Sequence, residues 1–428
     1  MSAPSGAKSA TGGAESATSS APQPVLLREP PRFARDRAVH AWIGVKALSD
    51  AGDALWTIAL AWTAVQVASP ALAGLVVAAG TVPRAAVLLF GGVLADRANA
   101  RHVMVLFNLL RVGVLVATAL WALSSAPSVG LLAVAAVAFG VCDAFYEPSA
   151  ATIARQLVRT ADLPSYSAVS QTVSRLATMA GAAAGGFLVA HTGLAGSASV
   201  NAVTFTLVVA FVVVWLRPRF GLPRAEPESP WRGIRRGFGH LRGAPATRTL
   251  VLALSGLNLA VGPAVGIGIA LRAHDEGWGA QAVGILEACI GLGAALGALS
   301  VARWRPRHEA RAGFRALVVQ GAAICALGVG PLPLGGAACL LIGLTAGYAS
   351  ALLGATFAGT VDPSYLGRMS SITRLGDDVL MPLAMAAFGA LASVTDLWVP
   401  FVLYGSAMVL LMTVPLRNPL FRELSLRT

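Results

Sequence analysis

The chain has 428 residues, 56% of them hydrophobic and only 12% charged. Soluble domains carry roughly a quarter charged residues, so this composition excludes an ordinary soluble enzyme and places the chain in a bilayer. The net charge of +12 does not point to nucleic acid, because the basic residues sit between long apolar runs, where they orient a membrane protein.

Residues 1–36 are rich in Ser, Ala, Gly and Pro, with no apolar run longer than Val25-Leu26-Leu27. They read as a disordered cytoplasmic tail and not as a cleavable signal. A helix needs about 20 apolar residues to cross the hydrocarbon core. Runs of that kind recur near 38–65, 71–95, 102–124, 128–154, 165–191 and 196–216, and again near 248–271, 279–302, 311–331, 333–359, 367–394 and 396–416. The expectation is an all-α membrane protein of twelve transmembrane helices. An N-terminal half spans 37–217, a basic cytoplasmic linker 218–247, a C-terminal half 248–417 and a cytoplasmic tail 418–428.

The basic residues orient this chain. With both termini inside, every Lys and Arg but five falls in a cytoplasmic segment; Lys46, Arg84, Arg111 and Arg175 lie within spans and Arg272 outside. That asymmetry follows the positive-inside rule. In the linker, Trp231, Ile234, Phe238 and Leu241 recur at helical spacing among arginines, as in an amphipathic helix on the inner leaflet. Gly233, Gly237 and Gly239 weaken such a helix, so a solvated linker stays open as the plainer reading.

The two halves echo each other. Pro164-Ser165-Tyr166 and Ser174-Arg175-Leu176 recur, at one constant offset, as Pro363-Ser364-Tyr365 and Thr373-Arg374-Leu375. Parallel six-helix repeats are the plan of major facilitator transporters. Gly92-x-x-x-Asp96-Arg97, with Arg101 following, resembles the loop signature of that superfamily between helices two and three. Asn99 and Ala100 stand where glycine and a basic residue are usual, and Val301 stands where the second-half counterpart could carry Asp. Trp42-x-Gly44, Ser49-x-x-Gly52-Asp53, Pro83-Arg84, Arg111 and Phe145-x-x-Pro148 are similar to the drug-efflux branch that holds macrolide-efflux and enterobactin-exporter proteins. Gly181, Gly185 and Gly186 resemble an antiporter signature in span five, with Ala182 in place of its proline. Close helix packing is a sufficient role for these glycines.

Acids inside a membrane are costly and are functional candidates by default. Span one carries Asp50 and Asp53, with Lys46 one turn before Asp50; span four carries Asp143 and Glu147. Pro148 is expected to kink span four beside that pair. The resemblance implies that helices one and four line a central cavity, which gathers these groups on one wall. Low dielectric favours the neutral carboxyl, so each acid is a candidate to couple proton flow. The alternative for each is structural pairing, such as Lys46 with Asp50 or Arg111 with Asp143. Asp53 has no basic residue at i±3 or i±4 and is expected to be unpaired, which makes it the favoured proton carrier. Glu287, Asp377 and Asp378 are the second-half candidates, with Arg374 placed to neutralise one aspartate. Asp96 is expected to latch one state of the carrier by meeting Arg97, Arg101 or the amino end of span eleven, where the superfamily places it.

The four cysteines lie singly inside apolar runs, and no His, Cys or acidic spacing suits a metal. No P-loop or GxSxG elbow occurs, so no enzyme activity and no cofactor is expected. The reading is a secondary active, proton-coupled exporter of a small apolar or amphipathic compound such as a drug, antibiotic or siderophore. Its partners would be that compound, protons and the lipid bilayer of a bacterial inner membrane, with a monomer as the default. An uptake carrier on the same fold, or a sensor or accessory protein without transport, are the alternatives.

Overall fold

Apolar runs of membrane length have no water for their backbone groups, so each must close its hydrogen bonds within a helix. A computed structural model describes residues 31–90, 99–220, 239, 241–304, 306–361 and 365–417. The first half contains α1 (Arg37–Val67), α2 (Pro70–Phe90), α3 (Ala100–Ser124) and α4 (Val129–Leu157). One continuous stretch, Leu163–Val214, follows and is broken at Gly193 by a φ of 63°. Glycine takes that left-handed conformation without steric cost. The break yields α5 (163–192) and α6 (194–214). The second half contains α7 (245–275), which runs from Pro245–Pro263 through a π turn at Ala264–Gly268 into Ile269–Asp275. It continues with α8 (Gly279–Arg303), α9 (Glu309–Val329), α10 (Leu332–Thr360), α11 (Leu366–Val394) and α12 (Trp398–Arg417).

Among the described residues, nine stretches are long and apolar enough to cross a membrane, one of them holding both α5 and α6. Adding α1, which carries Lys46, Asp50 and Asp53, and α2, whose apolar run ends at Pro83, gives the expected twelve crossings. The unusual Asn99 has a local role: its Oδ1 accepts from Arg101 N at 3.0 Å and caps α3. Most of the linker, including Trp231, Ile234 and Phe238, lies outside the described residues.

The boundary of the N-terminal tail needs correction. Phe33–Arg35 form a short 3-10 helix, and Asp36 is only 3% exposed. Its carboxylate caps α1, accepting from Ala38 N at 3.2 Å and Val39 N at 3.3 Å, and pairs with Arg219. Phe33 N donates to Asp162 Oδ2 at 3.2 Å, and Arg219 N and Phe220 N both donate to Gln156 O. These residues therefore belong to the packed half on either side of the expected boundaries. Hydropathy missed them because capping and ion pairing hold them there.

Burial opposes the Asp36 charge, but the Arg219 guanidinium and the two backbone amides outweigh it and hold the carboxyl below its ordinary 3.8. A lowered folded-state value means that the contribution is complete above the ordinary value and is lost as pH falls below it. Asp36→Ala is expected to cost about 1–2 kcal/mol from the cap and the pair. Thermal unfolding of the purified protein between neutral pH and about pH 3 checks this, since the variant should lose part of its acid-sensitive limb.

Among the close contacts that join the halves in the described residues are three at one end. Gly186 of α5 faces Gly284 of α8, Gly74 of α2 faces Gly389 of α11, and Trp62 of α1 lies edge-on to His274 of α7, with centroids 6.0 Å apart. All three lie toward the end away from Arg37 and Arg417, and Met179 against Gly291 continues the seam to mid-span. Toward the terminal end, α5 exposes Ser167, Ala168 and Val169 in succession and then Gln171 and Thr172. Among the described residues, these contacts between the halves run from mid-span to the end away from Arg37 and Arg417.

Candidate functional site

Arg111 is the centre of the N-terminal half. It is fully buried, and it stands on α3 one turn beyond Asn108, which is also fully buried. A charge this deep needs partners, and the fold supplies them from three other helices. Its Nη2 donates to Asp143 of α4, and its Nη1 lies 3.6 Å from Asp53 Oδ1 of α1. Its guanidinium carbon stands 4.5 Å from the ring centroid of Tyr146, 5.0 Å from that of Phe205 on α6 and 5.2 Å from that of Phe139. Aromatic faces stabilise a desolvated cation.

This geometry corrects the expectation for Asp53, which is not unpaired. Arg111 reaches it from α3, a contact that no spacing within α1 could show. At 3.6 Å the contact is ionic and not a hydrogen bond, and Asp53 Oδ1 is buried without a hydrogen-bond partner. Beside it, Lys46 Nζ donates to both oxygens of Asp50, at 2.8 and 3.0 Å, and the Ser174 hydroxyl of α5 donates to the same carboxylate. The structural pairings weighed from the sequence are therefore both formed. Glu147 follows Asp143 by one turn on the same helix. Among the described side chains, Lys46 and Arg111 thus stand with four carboxylates of this half. α4 runs on as a helix through Pro148.

The second half is arranged differently. Asn258 Nδ2 of α7 donates to Asp377 Oδ2 of α11 at 2.7 Å, and Asp377 Oδ1 is buried without a hydrogen bond. Ser255, one turn earlier on α7, faces Gly376. Asp378 also has a partner, while the side chain of Arg374 lies outside the described residues. Glu287 of α8 acts on Cys339 of α10 and is not brought to the Arg111 cluster. The Arg84 side chain, Gly92, Asp96 and Arg97 also fall outside the described residues, so the expected Asp96 latch does too. Arg101 is described: its guanidinium donates to Val212 O at 3.1 Å and Val213 O at 2.6 Å. A cation there complements the negative carboxyl end of α6. Arg101→Ala is expected to cost about 1–2 kcal/mol, which thermal unfolding of the purified protein checks.

The antiporter-like glycines face two ways. A Cβ on Gly181 would stand 2.2 Å from Ala51 O, and one on Gly185 would stand 2.9 Å from Leu55 Cα, so both seat α5 on α1. Gly186 faces the other half, where a Cβ would meet Ala280 O at 2.7 Å. Sequence reasoning missed Ser174, Tyr146, Phe139, Phe205 and Asn201. Of these, Asn201 carried a usable signal, as a lone amide inside an apolar span. Among the described residues, no group of His, Cys, Asp or Glu has the geometry to hold a metal ion, and the four cysteines are free thiols.

Twelve apolar crossings in two halves, with ion pairs buried between helices, define a multi-pass membrane carrier. The chain belongs to the Major Facilitator Superfamily, whose family model matches residues 44–385. The Enterobactin exporter EntS of Escherichia coli O139:H28 (strain E24377A / ETEC) is 30% identical over 299 residues, covering 67% of this chain and 68% of the exporter. The protein of the same name from Escherichia fergusonii matches equally. Among solved structures, the POT family transporter PepTSo superposes with a TM-score of 0.72 at 11% identity, covering 90% of this chain and 98% of that one. The nucleoside transporter NupG gives 0.69 at 13% identity, with 88% and 98% covered. The human organic anion transporter MFSD10 gives 0.62 at 17%, with 88% and 99% covered. At these identities the structures show the shared fold alone. The chain is a membrane transporter with an exporter among its relatives.

Proposed function

We propose that this chain is a proton-coupled exporter that carries a small apolar or amphipathic compound out across a bacterial inner membrane, with both termini in the cytoplasm. The observation that carries this reading is one fully buried arginine, Arg111, shared by carboxylates on two different helices. Four carboxylates gather in this half, and carboxylate charge in hydrocarbon is costly. A proton can neutralise any one of them. A proton on Asp53 leaves Arg111 to Asp143 alone; its release restores Arg111 as a tie between α1, α3 and α4. Proton binding therefore changes which helices are held together, which is what a carrier needs to couple a gradient to its rocking motion.

The arrangement of the halves suits the same cycle. With the termini inside, contacts between the halves at the far end suit a carrier closed to the outside. The second-half cluster of Ser255, Asn258 and Asp377 would supply a few polar contacts to an otherwise apolar compound. The enterobactin exporters among its relatives support the outward direction.

The test is a panel of antimicrobial compounds and siderophores in a bacterial host stripped of its own pumps, with and without this chain. Export predicts raised tolerance to at least one compound and lower accumulation of it, both lost when the proton gradient is collapsed. Increased accumulation would make the chain an uptake carrier, and no change for any compound would favour the sensor or accessory role.

A further inference from the structure

Asn201 stands in the apolar middle of α6 and is fully buried. Its Nδ2 donates to the carbonyl of Gly52 at 2.9 Å, one residue before Asp53. The fit is close: a Cβ on Gly52 would stand 2.5 Å from Asn201 Oδ1 and 3.3 Å from the Phe205 ring. That Oδ1 has no hydrogen-bond partner. One turn along α6, Phe205 underlies the Arg111 guanidinium and packs against Phe139 at 5.8 Å. A single face of α6 therefore grips the backbone beside Asp53 and cradles Arg111.

A buried amide left with one unsatisfied oxygen costs stability, so its retention beside an ion pair calls for a reason. We infer that Asn201 is a positioning residue that sets the separation of Asp53 from Arg111, and through it the pH at which Asp53 takes up its proton. This rests on the coupling reading proposed above. The Asp53–Arg111 separation of 3.6 Å is just beyond hydrogen-bond length, where a small displacement of α1 changes the interaction most. Among the described side chains, the charged and titratable groups around Asp53 are Arg111 of α3, Asp143 and Glu147 of α4, and Asp50 of its own helix; Tyr146 of α4 is also nearby. α6 contributes no charge, only the amide and the ring. Without the amide, α1 is free to shift from α6, Arg111 favours the charged carboxylate less, and proton uptake moves to higher pH.

The test needs no knowledge of the cargo. A hydrophobic carbodiimide reacts with protonated carboxyls in membranes. The full chain in lipid nanodiscs is labelled between about pH 5 and 9 and modification is read at each carboxyl by peptide mass spectrometry. Asn201→Leu is expected to raise the labelling midpoint of Asp53 by about one unit, a tenfold change in proton affinity. The midpoint of Glu287, in the other half, should not move and serves as the control for folding. If Asn201→Leu fails to fold, Asn201→Ser is measured in the same way, with the same expected direction. An unchanged Asp53 midpoint beside an unchanged Glu287 would overturn the role of Asn201 and leave the coupling reading standing. Absence of any Asp53 midpoint in the unmodified chain would overturn both.

Discussion

Arg111→Met is expected to destabilise the N-terminal half by about 3–5 kcal/mol and to abolish transport. Removing one member of a buried ionic cluster is strongly destabilising, and here Asp53 and Asp143 both lose their contact with Arg111. The aromatic rings of Phe139, Tyr146 and Phe205 would accept the Met side chain, so the loss comes mainly from the acids. The triple variant Arg111→Met, Asp53→Asn, Asp143→Asn should therefore recover most of the stability and none of the coupled transport. Thermal unfolding of the purified proteins, followed by size-exclusion profile, separates the two. A stable single variant would show that the acids are neutral, solvated or otherwise held without Arg111.

Gly186→Leu is expected to force the far-end seam open. The site it would fill is bounded by backbone, with Ala280 O at 2.7 Å and Gly284 Cα and N at 2.8 Å from the first added carbon. Backbone atoms cannot turn aside as a flexible side chain can. Overpacking costs about 1–3 kcal/mol, enough to shift a two-state equilibrium by roughly one to two decades. A cysteine placed at Trp62, beside His274 on the same seam, should then react faster with a membrane-impermeant thiol reagent added from outside. Gly113 has no neighbouring atom within 4 Å of its missing Cβ, so Gly113→Ala should leave both reactivity and transport unchanged.

The helices were legible because hydrocarbon leaves a chain few options: length, apolarity and the placement of arginine were enough to find the spans. The Lys46–Asp50 pair was equally legible, since one turn of helix brings residues four apart together. The Asp53–Arg111 contact was not. It joins helices that are not consecutive in the chain, and periodicity describes only one helix at a time. Reading Asp53 against its own helix gave the wrong answer for that reason. The glycines show the same limit. Their spacing announced close packing, but only the assembled helices reveal that Gly181 serves α1 while Gly186, five residues on, serves the opposite half. Asp36 and Arg219 were hidden for another reason. They are polar residues in polar stretches, and what distinguishes them is a cap and an ion pair formed across the end of the bundle.

Under the proposed mechanism, Asp53 carries the coupled proton. Inside-out membrane vesicles containing the chain, loaded to an acid interior, test it through a compound that the tolerance panel has identified. Addition of that compound should make the lumen more alkaline as protons leave in exchange, and the compound should accumulate against its gradient. Asp53→Asn should abolish both while still exchanging the compound down its gradient, because the cargo path is intact and only the proton site is gone. Full uphill accumulation by Asp53→Asn would contradict the account and pass the coupling role to Asp143, Glu147 or the acids of the second half.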